Sequence, residues 1–230
     1  MKLLAVDTAT NCCGVAIADD DEIVASVTLV SGLTHSRRLL SVIHDIMDKT
    51  GLTVADMDGF AVTLGPGSFT GLRIGISTVK GLAVALRKPV AGVSTLEAIA
   101  WQFHASSMLI CALIDARKGE VYTSRYRFKN GKPEIVLPEC VLPPEQAIAG
   151  IKEPCIFAGP GVDVCREAVC GNSVKTAVIA PSFQKNVPPG TVACLGIRNF
   201  KDGMANAPDD LAPVYIRKPD AVLNKHQIKI

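Results

Sequence analysis

Apolar residues fall along this chain in short unbroken runs and in longer stretches with helical spacing. Leu3, Leu4, Ala5 and Val6 form a run that closes on Asp7, which predicts a buried strand over Lys2–Val6. Thr8–Asn11 reads as a turn, Cys13–Ala18 as a second strand, and Asp19, Asp20 and Asp21 as a hairpin turn into a third strand, Ile23–Val30. A helix is predicted over Ser36–Thr50, where Leu39, Leu40, Ile43, Ile46 and Met47 recur at helical spacing and Gly51 stands at the C-terminal cap. Phe60–Leu64 is a fourth strand, followed by the turn Gly65-Pro66-Gly67. A long helix then opens at Ser68 or Thr70 and ends before Pro89. Val90–Val93 is a fifth strand, and Ser94 caps a helix that runs to Trp101.

The second half starts in the same way. Met108–Ile114 is an apolar strand closing on Asp115, with a turn at Ala116–Gly119 and a partner strand at Glu120–Phe128. A Gly131 turn, a strand at Ile135–Leu137, a helix from Pro143, a strand at Cys155–Ala158 and a helix after Gly159-Pro160-Gly161 follow. Asp7 and Asp115 therefore hold equivalent places, each ending a first strand before a hairpin. The expected fold is α/β with two lobes, 1–104 and 105–230, the second carrying a C-terminal tail. Each is a mixed sheet flanked by helices in the actin, sugar-kinase and Hsp70 (ASKHA) order. Such a repeat is topological and fixes no function.

Composition narrows the classes. The chain has 230 residues, 48% hydrophobic and only 20% charged, which excludes a disordered protein. Twenty-four Lys and Arg against 22 Asp and Glu is too balanced for a protein whose main task is gripping phosphate backbones. The longest uncharged stretch, Ala98–Ile114, is broken by Gln102, His104, Ser106 and Ser107, a poor fit to a membrane span. Eight cysteines without a C-x-x-C read as reduced thiols packed as small apolar groups, which points to the cytoplasm.

Candidate chemistry is sparse. Asp7 and Asp115 mark a candidate degenerate phosphate site, but the loops behind them are poor in glycine, and both residues can equally cap their turns. The histidines 35, 44, 104 and 226 show no i, i+4 pair, so no metal site is expected. Gly67-Ser68-Phe69-Thr70-Gly71 is not the G-x-S-x-G of a nucleophile elbow, and Ser68 reads as a helix N-cap; no catalytic residue is assigned.

The two long helices carry more apolar surface than one narrow stripe needs. Leu72, Ile76, Val79, Ala83 and Leu86 form one stripe of the second, and Gly71, Gly75, Thr78, Leu82 and Ala85 another. Glycine inside a helix costs up to ~1 kcal/mol relative to alanine. Close approach of another backbone is the expected compensation, supplied either by this chain or by a partner. Leu39, Leu40, Ile43, Met47, Gly71, Leu72, Gly75, Ile76 and Val79 are the candidate partner interface.

The segments LLAVDTATNCCGVAI, THSRRLLSVI, GPGSFTGLRIGISTVKGLA, PVAGVSTLEAIA, DARKGEVY and LAPVYIRKP resemble the TsaB (YeaZ) family. The motif residues are Asp7, Thr8, His35, Ser36, Gly65, Pro66, Gly67, Ser68, Phe69, Thr70 and Arg73. The resemblance implies a non-catalytic subunit that pairs with TsaD, joined by the ATPase TsaE, to make threonylcarbamoyladenosine beside the anticodon of transfer RNA. It implies transfer-RNA contact through the complex. The same apolar helix surface offers a homodimer when the partner is missing, no cofactor is expected in this chain, and the complex interface is a candidate place for ATP or ADP. Arg37 stands where the family often has glutamate, so no contact of that acid is carried over. Arg37, Arg38, Arg73 and Lys80 are candidates for a basic rim. The rival expectation is a small-molecule kinase or ATPase of the ASKHA superfamily, motivated by Asp7, Asp115 and the Gly159-Pro160-Gly161 turn.

Overall fold

The computed structural model describes residues 1–30, 35–171 and 176–217. Thr34, Lys218 and Pro219 of the quoted motifs, and His226, lie outside the described residues. The first lobe holds β1 (Lys2–Asp7), β2 (Cys12–Asp19), β3 (Glu22–Val30), α1 (His35–Thr50), β4 (Gly59–Gly65), α2 (Phe69–Leu86), β5 (Val90–Ser94) and α3 (Thr95–Trp101). The second holds β6 (Leu109–Asp115), β7 (Val121–Lys129), β8 (Lys132–Leu142), α4 (Pro144–Ile148), β9 (Cys155–Ala158), α5 (Val162–Gly171) and β10 (Ala177–Ile179); α6 (Pro189–Lys201) follows in sequence and packs on the first sheet.

Both sheets share one design. The first runs β3-β2-β1-β4-β5 and the second, read in the same sense, β8-β7-β6-β9-β10. In each, the opening strand pairs antiparallel with its hairpin partner and parallel with the strand after the first helix. Asp7 faces Gly14 across the first hairpin and Asp115 faces Val121 across the second, so the expected equivalence of the two aspartates holds in the register. The two-lobed ASKHA-like expectation is borne out. β8 is longer than the strand expected at Ile135–Leu137. Sequence reading passed over β10 and α6: β10 has three residues, and α6 opens on two prolines.

Both faces of the first sheet are buried, which is why its central strands read as continuous apolar runs. Leu4, Val6, Val15, Ile17, Phe60 and Val62 face outward to α1 and α2. Leu3, Ala5, Ala16, Ala61 and Ala91 face a central core shared with α3, α6 and the inner side of the second sheet. Small side chains on that inner face let α6 lie close. A Cβ built on Gly196 of α6 would stand 2.6 Å from the Ala61 Cβ. α6 thus returns from the second half of the chain to cover β1 and β2, while α3 lies against β6 and β7. The outer side of the second sheet packs α4 and α5 around Leu113, Phe157 and Cys165.

The residues expected to meet a partner are placed otherwise. Leu39, Ile43, Met47, Leu72, Ile76 and Val79 are buried in the outer core of the first lobe. Gly71 and Gly75 meet this chain's own turn at Thr8. A Cβ on Gly71 would lie 2.1 Å from the Thr8 carbonyl oxygen, and one on Gly75 2.3 Å from its Oγ1. The helix glycines do allow a close backbone approach, but the backbone is internal. Of the nine, only Leu40 is exposed, at 61%. Periodicity shows the stripes without the sheet: β4 and β1 take the Leu72 stripe, and the Thr8 turn takes Gly71 and Gly75.

Ser68 caps α2, its hydroxyl accepting from the Gly71 N–H at 3.2 Å. Thr8 Oγ1 donates to the Gly71 carbonyl at 2.8 Å, and the Ser68 N–H donates to the Ala9 carbonyl at 2.7 Å. Gly81, by contrast, has nothing within 4 Å of its would-be Cβ. Gly71→Ala is expected to cost about 1–3 kcal/mol of stability through overpacking, and Gly81→Ala to gain up to ~1 kcal/mol. Urea denaturation of the two variants reads both signs; equal effects would contradict this packing.

Candidate functional site

The turn between β1 and β2 is held from three sides. α2 seats on it through Ser68 and Gly71, and at the start of α1 the His35 Nε2 lies 2.9 Å from the Thr10 carbonyl. Gly67 has its would-be Cβ 2.3 Å from the Ala9 oxygen, so only glycine fits there. The motif residues Thr8, His35, Gly67 and Ser68 therefore come together around one turn and serve its packing.

Asp7 lies beneath that turn and does not reach the space between the lobes. Its Oδ1 accepts from the Ala9 N–H at 3.1 Å and the Thr63 hydroxyl at 2.8 Å, while its buried Oδ2 has no hydrogen-bond partner. Burial outweighs the two hydrogen bonds and pushes the carboxyl up to about 6. Asp115 is different. It lines the cleft, accepts from the Arg117 N–H at 2.7 Å and pairs with the Arg117 side chain at 3.3 Å. The candidate phosphate site Asp7–Asp115 is thus split, with one carboxylate sealed in the first lobe and the other capping its own turn.

The cleft has a volume of about 990 Å³ and is lined by both hairpin turns and the start of α2. Its cations are largely matched: Arg117 pairs with Asp115, Lys185 with Asp163 and Arg217 with Glu120. The second Gly-Pro-Gly turn repeats the packing of the first. The Gly161 N–H donates to the Leu113 carbonyl at 2.9 Å, and a Cβ on Gly161 would lie 2.7 Å from the Ile114 nitrogen. Its glycines serve close packing on β6. Among the described residues no three His, Cys, Asp or Glu side chains gather to hold a metal. Cys12, Cys13, Cys111, Cys155 and Cys165 are buried as small core groups, and Cys170 is exposed.

Among the described residues, the outer side of α2 stays open. Ser77, Gly81, Val84 and Ala85 are exposed and Ile74 is half-buried, a line of apolar and small residues opposite Leu72, Ile76, Val79 and Ala83. At its N-terminal end Phe69, Thr70, Arg73, Ile74 and Ser77 frame a shallow depression. The i, i+4 series Ser77, Gly81, Ala85 was the sequence signal for this face. It went unread because Gly71 and Gly75 drew the small stripe a quarter-turn away. Two of the four basic-rim candidates are engaged by the C-terminal segment. Arg73 Nε donates to the Tyr215 hydroxyl at 3.0 Å and Lys80 Nζ to the Asp209 and Leu211 carbonyls. Arg37 is exposed in the first turn of α1.

Two lobes of one strand order, with their first hairpin turns lining a shared cleft, define an ASKHA-type α/β protein. Component A of (R)-2-hydroxyglutaryl-CoA dehydratase from Acidaminococcus fermentans shares that fold at a TM-score of 0.54 and 12% identity, covering 86% of this chain and 98% of that one. The sequence profile of the family described as TsaD, tRNA N6-adenosine threonylcarbamoyltransferase, matches residues 7–206. The tRNA threonylcarbamoyladenosine biosynthesis protein TsaB of Bacillus subtilis is 31% identical over 224 residues, 96% of each chain. Its namesake in Escherichia coli K12 is 34% identical over 229 residues, covering 94% of this chain and 95% of that one. The solved structure of YeaZ from Pseudomonas aeruginosa superposes with a TM-score of 0.82 at 32% identity, over 93% of this chain and 99% of the other. The chain belongs to this family and, within it, to the TsaB (YeaZ) proteins.

A folded-state carboxyl raised from 3.8 to about 6 binds protons that the unfolded chain has released. The stability from Asp7 is therefore complete below about pH 4 and lost as pH rises through about 6. Asp7→Asn is expected to gain about 2–3 kcal/mol on the native chain between pH 4 and pH 7.5. Urea denaturation of both proteins across that range measures the gap; a gap independent of pH would contradict the burial of a carboxylate there.

Proposed function

We propose that this chain is the docking subunit of a transfer-RNA threonylcarbamoylation system, pairing with TsaD and adding no chemical group of its own. Support comes from the names of its relatives, which place them in threonylcarbamoyladenosine biosynthesis. The observation that carries the reading is the divided surface of α2. Its inner stripe fills the chain's own core while its outer line of Ile74, Ser77, Gly81, Val84 and Ala85 stays open. Small residues let a second helix come close, and Val84 and Ile74 supply apolar area for it. Leu40 on neighbouring α1 is exposed as well.

On this reading α2 meets TsaD in the cytoplasm, TsaE joins the pair, and transfer RNA is engaged by the assembly. A second copy of this chain takes the same face when TsaD is absent. ATP or ADP is held where the proteins meet rather than by this chain alone, since Asp7 is sealed and the cations of the cleft carry their own acids.

Gly81→Arg and Val84→Glu are expected to leave the fold intact and weaken binding to the TsaD of the same organism by about a hundredfold or more. Co-elution and threonylcarbamoyladenosine formation in a reconstituted system check this, and unchanged co-elution would sink the assignment of this face. Titration calorimetry of the chain alone with ATP and Mg²⁺ is expected to show no binding heat. Tight binding there would overturn the placement of nucleotide.

A further inference from the structure

We infer that residues 211–217 are a strap that sets the spacing of the two lobes across the cleft, with Arg217 as its latch. The strap starts in the first lobe. Leu211 is buried in the outer core under α2, and the Val214 N–H donates to the Leu64 carbonyl at 2.8 Å. Gly65 leaves room for it: a Cβ there would stand 2.6 Å from the Val214 oxygen. Tyr215 packs its ring 5.1 Å from that of Phe69, and the Arg73 guanidinium sits 3.8 Å over Phe69 while donating to the Tyr215 hydroxyl. The hydrogen bonds and ring contacts of Val214 and Tyr215 are thus made with β4 and α2.

Two residues later the chain is bound to the other lobe. Arg217 Nη1 donates to the Ala116 carbonyl at 2.7 Å, and its guanidinium pairs with Glu120, at the two ends of the turn that follows β6. A planar guanidinium can serve a carbonyl and a carboxylate together, and with this side chain only 19% exposed the pair is partly shielded from salt. The turn it grips is rigid in itself, with Arg117, Lys118 and Gly119 all left-handed and Ala116 bonded to Glu120 through its N–H at 2.9 Å. Tyr215 and Arg217 both line the cleft. Beside the core around α3 and α6, this strap therefore joins the lobes at the cleft. Opening the cleft at the strap requires release of Arg217. Nothing in this strap requires a docked partner.

The test uses the full chain with Arg217→Glu, Glu120→Arg, the double reversal and Arg217→Met. Amide hydrogen exchange over residues 115–121 is expected to rise about tenfold in each single variant and to return towards the native rate in the double reversal. Labels placed on exposed Asp45 and Glu167 by chemistry that spares cysteine should report longer, broader interlobe distances in the single variants and a native distribution in the double. Unchanged exchange in α1 shows that the fold survives, and Arg217→Met carries the test if a charge reversal does not fold. Native distances in the single variants, or a double reversal that restores nothing, would overturn the strap.

Discussion

The rest of this molecule depends on the seating of one helix on one turn. The first turns of α2 lie so close to the β1–β2 turn that Gly67, Gly71 and Gly75 each face an atom of Thr8 or Ala9 where a Cβ would go. Two hydrogen bonds, from the Thr8 hydroxyl to the Gly71 carbonyl and from the Ser68 N–H to the Ala9 carbonyl, close the contact. Three backbone positions without side chains set the height of α2 over the sheet. From that height follow the burial of Leu72, Ile76 and Val79 and the exposure of the opposite side of the helix. Asp7 is sealed by the same packing and keeps an unpaired oxygen below the turn.

This seating accounts for the high apolar fraction of the chain. α2 has the length and hydropathy of a helix able to cross a membrane, yet its inner stripe is built into the first lobe. A sheet covered on both faces absorbs most of the apolar residues, and the outer line of α2 holds a smaller remainder. The duplicated design spreads the same economy to the second lobe, where Gly159 and Gly161 press against β6 as Gly67 presses against Ala9. Near-neutral charge is consistent with the cleft, where Arg117, Lys185 and Arg217 are paired within the chain.

Much of the fold was legible because its signals are local. Asp7 and Asp115 end apolar runs, Ser68 and Ser94 stand as N-caps, and both hydroxyls accept from the N–H three residues on. What could not be read was non-local. Whether the small stripe Gly71–Gly75 faces a partner or its own chain depends on where Thr8 comes to rest, 63 residues away in sequence. Periodicity marks a helix as buried on two sides without saying by what. α6 opens on two prolines, and its place across the first sheet is likewise set by residues far away in sequence. The strap shows in sequence as the segment LAPVYIR of a family-like motif, but that Tyr215 and Arg217 reach opposite lobes is not visible there.

The core fixes the inner face of α2 and leaves its outer face exposed, the face proposed to meet a partner. Hydrogen exchange of the full chain, alone and mixed with the TsaD of its organism, tests this most directly. Slowed exchange is predicted in α2 from Ile74 onward and in α1 near Leu40, with the hairpin turns at Thr8–Asn11 and Ala116–Gly119 unchanged. Slowing confined to those turns, with α1 and α2 as in the free chain, would contradict it.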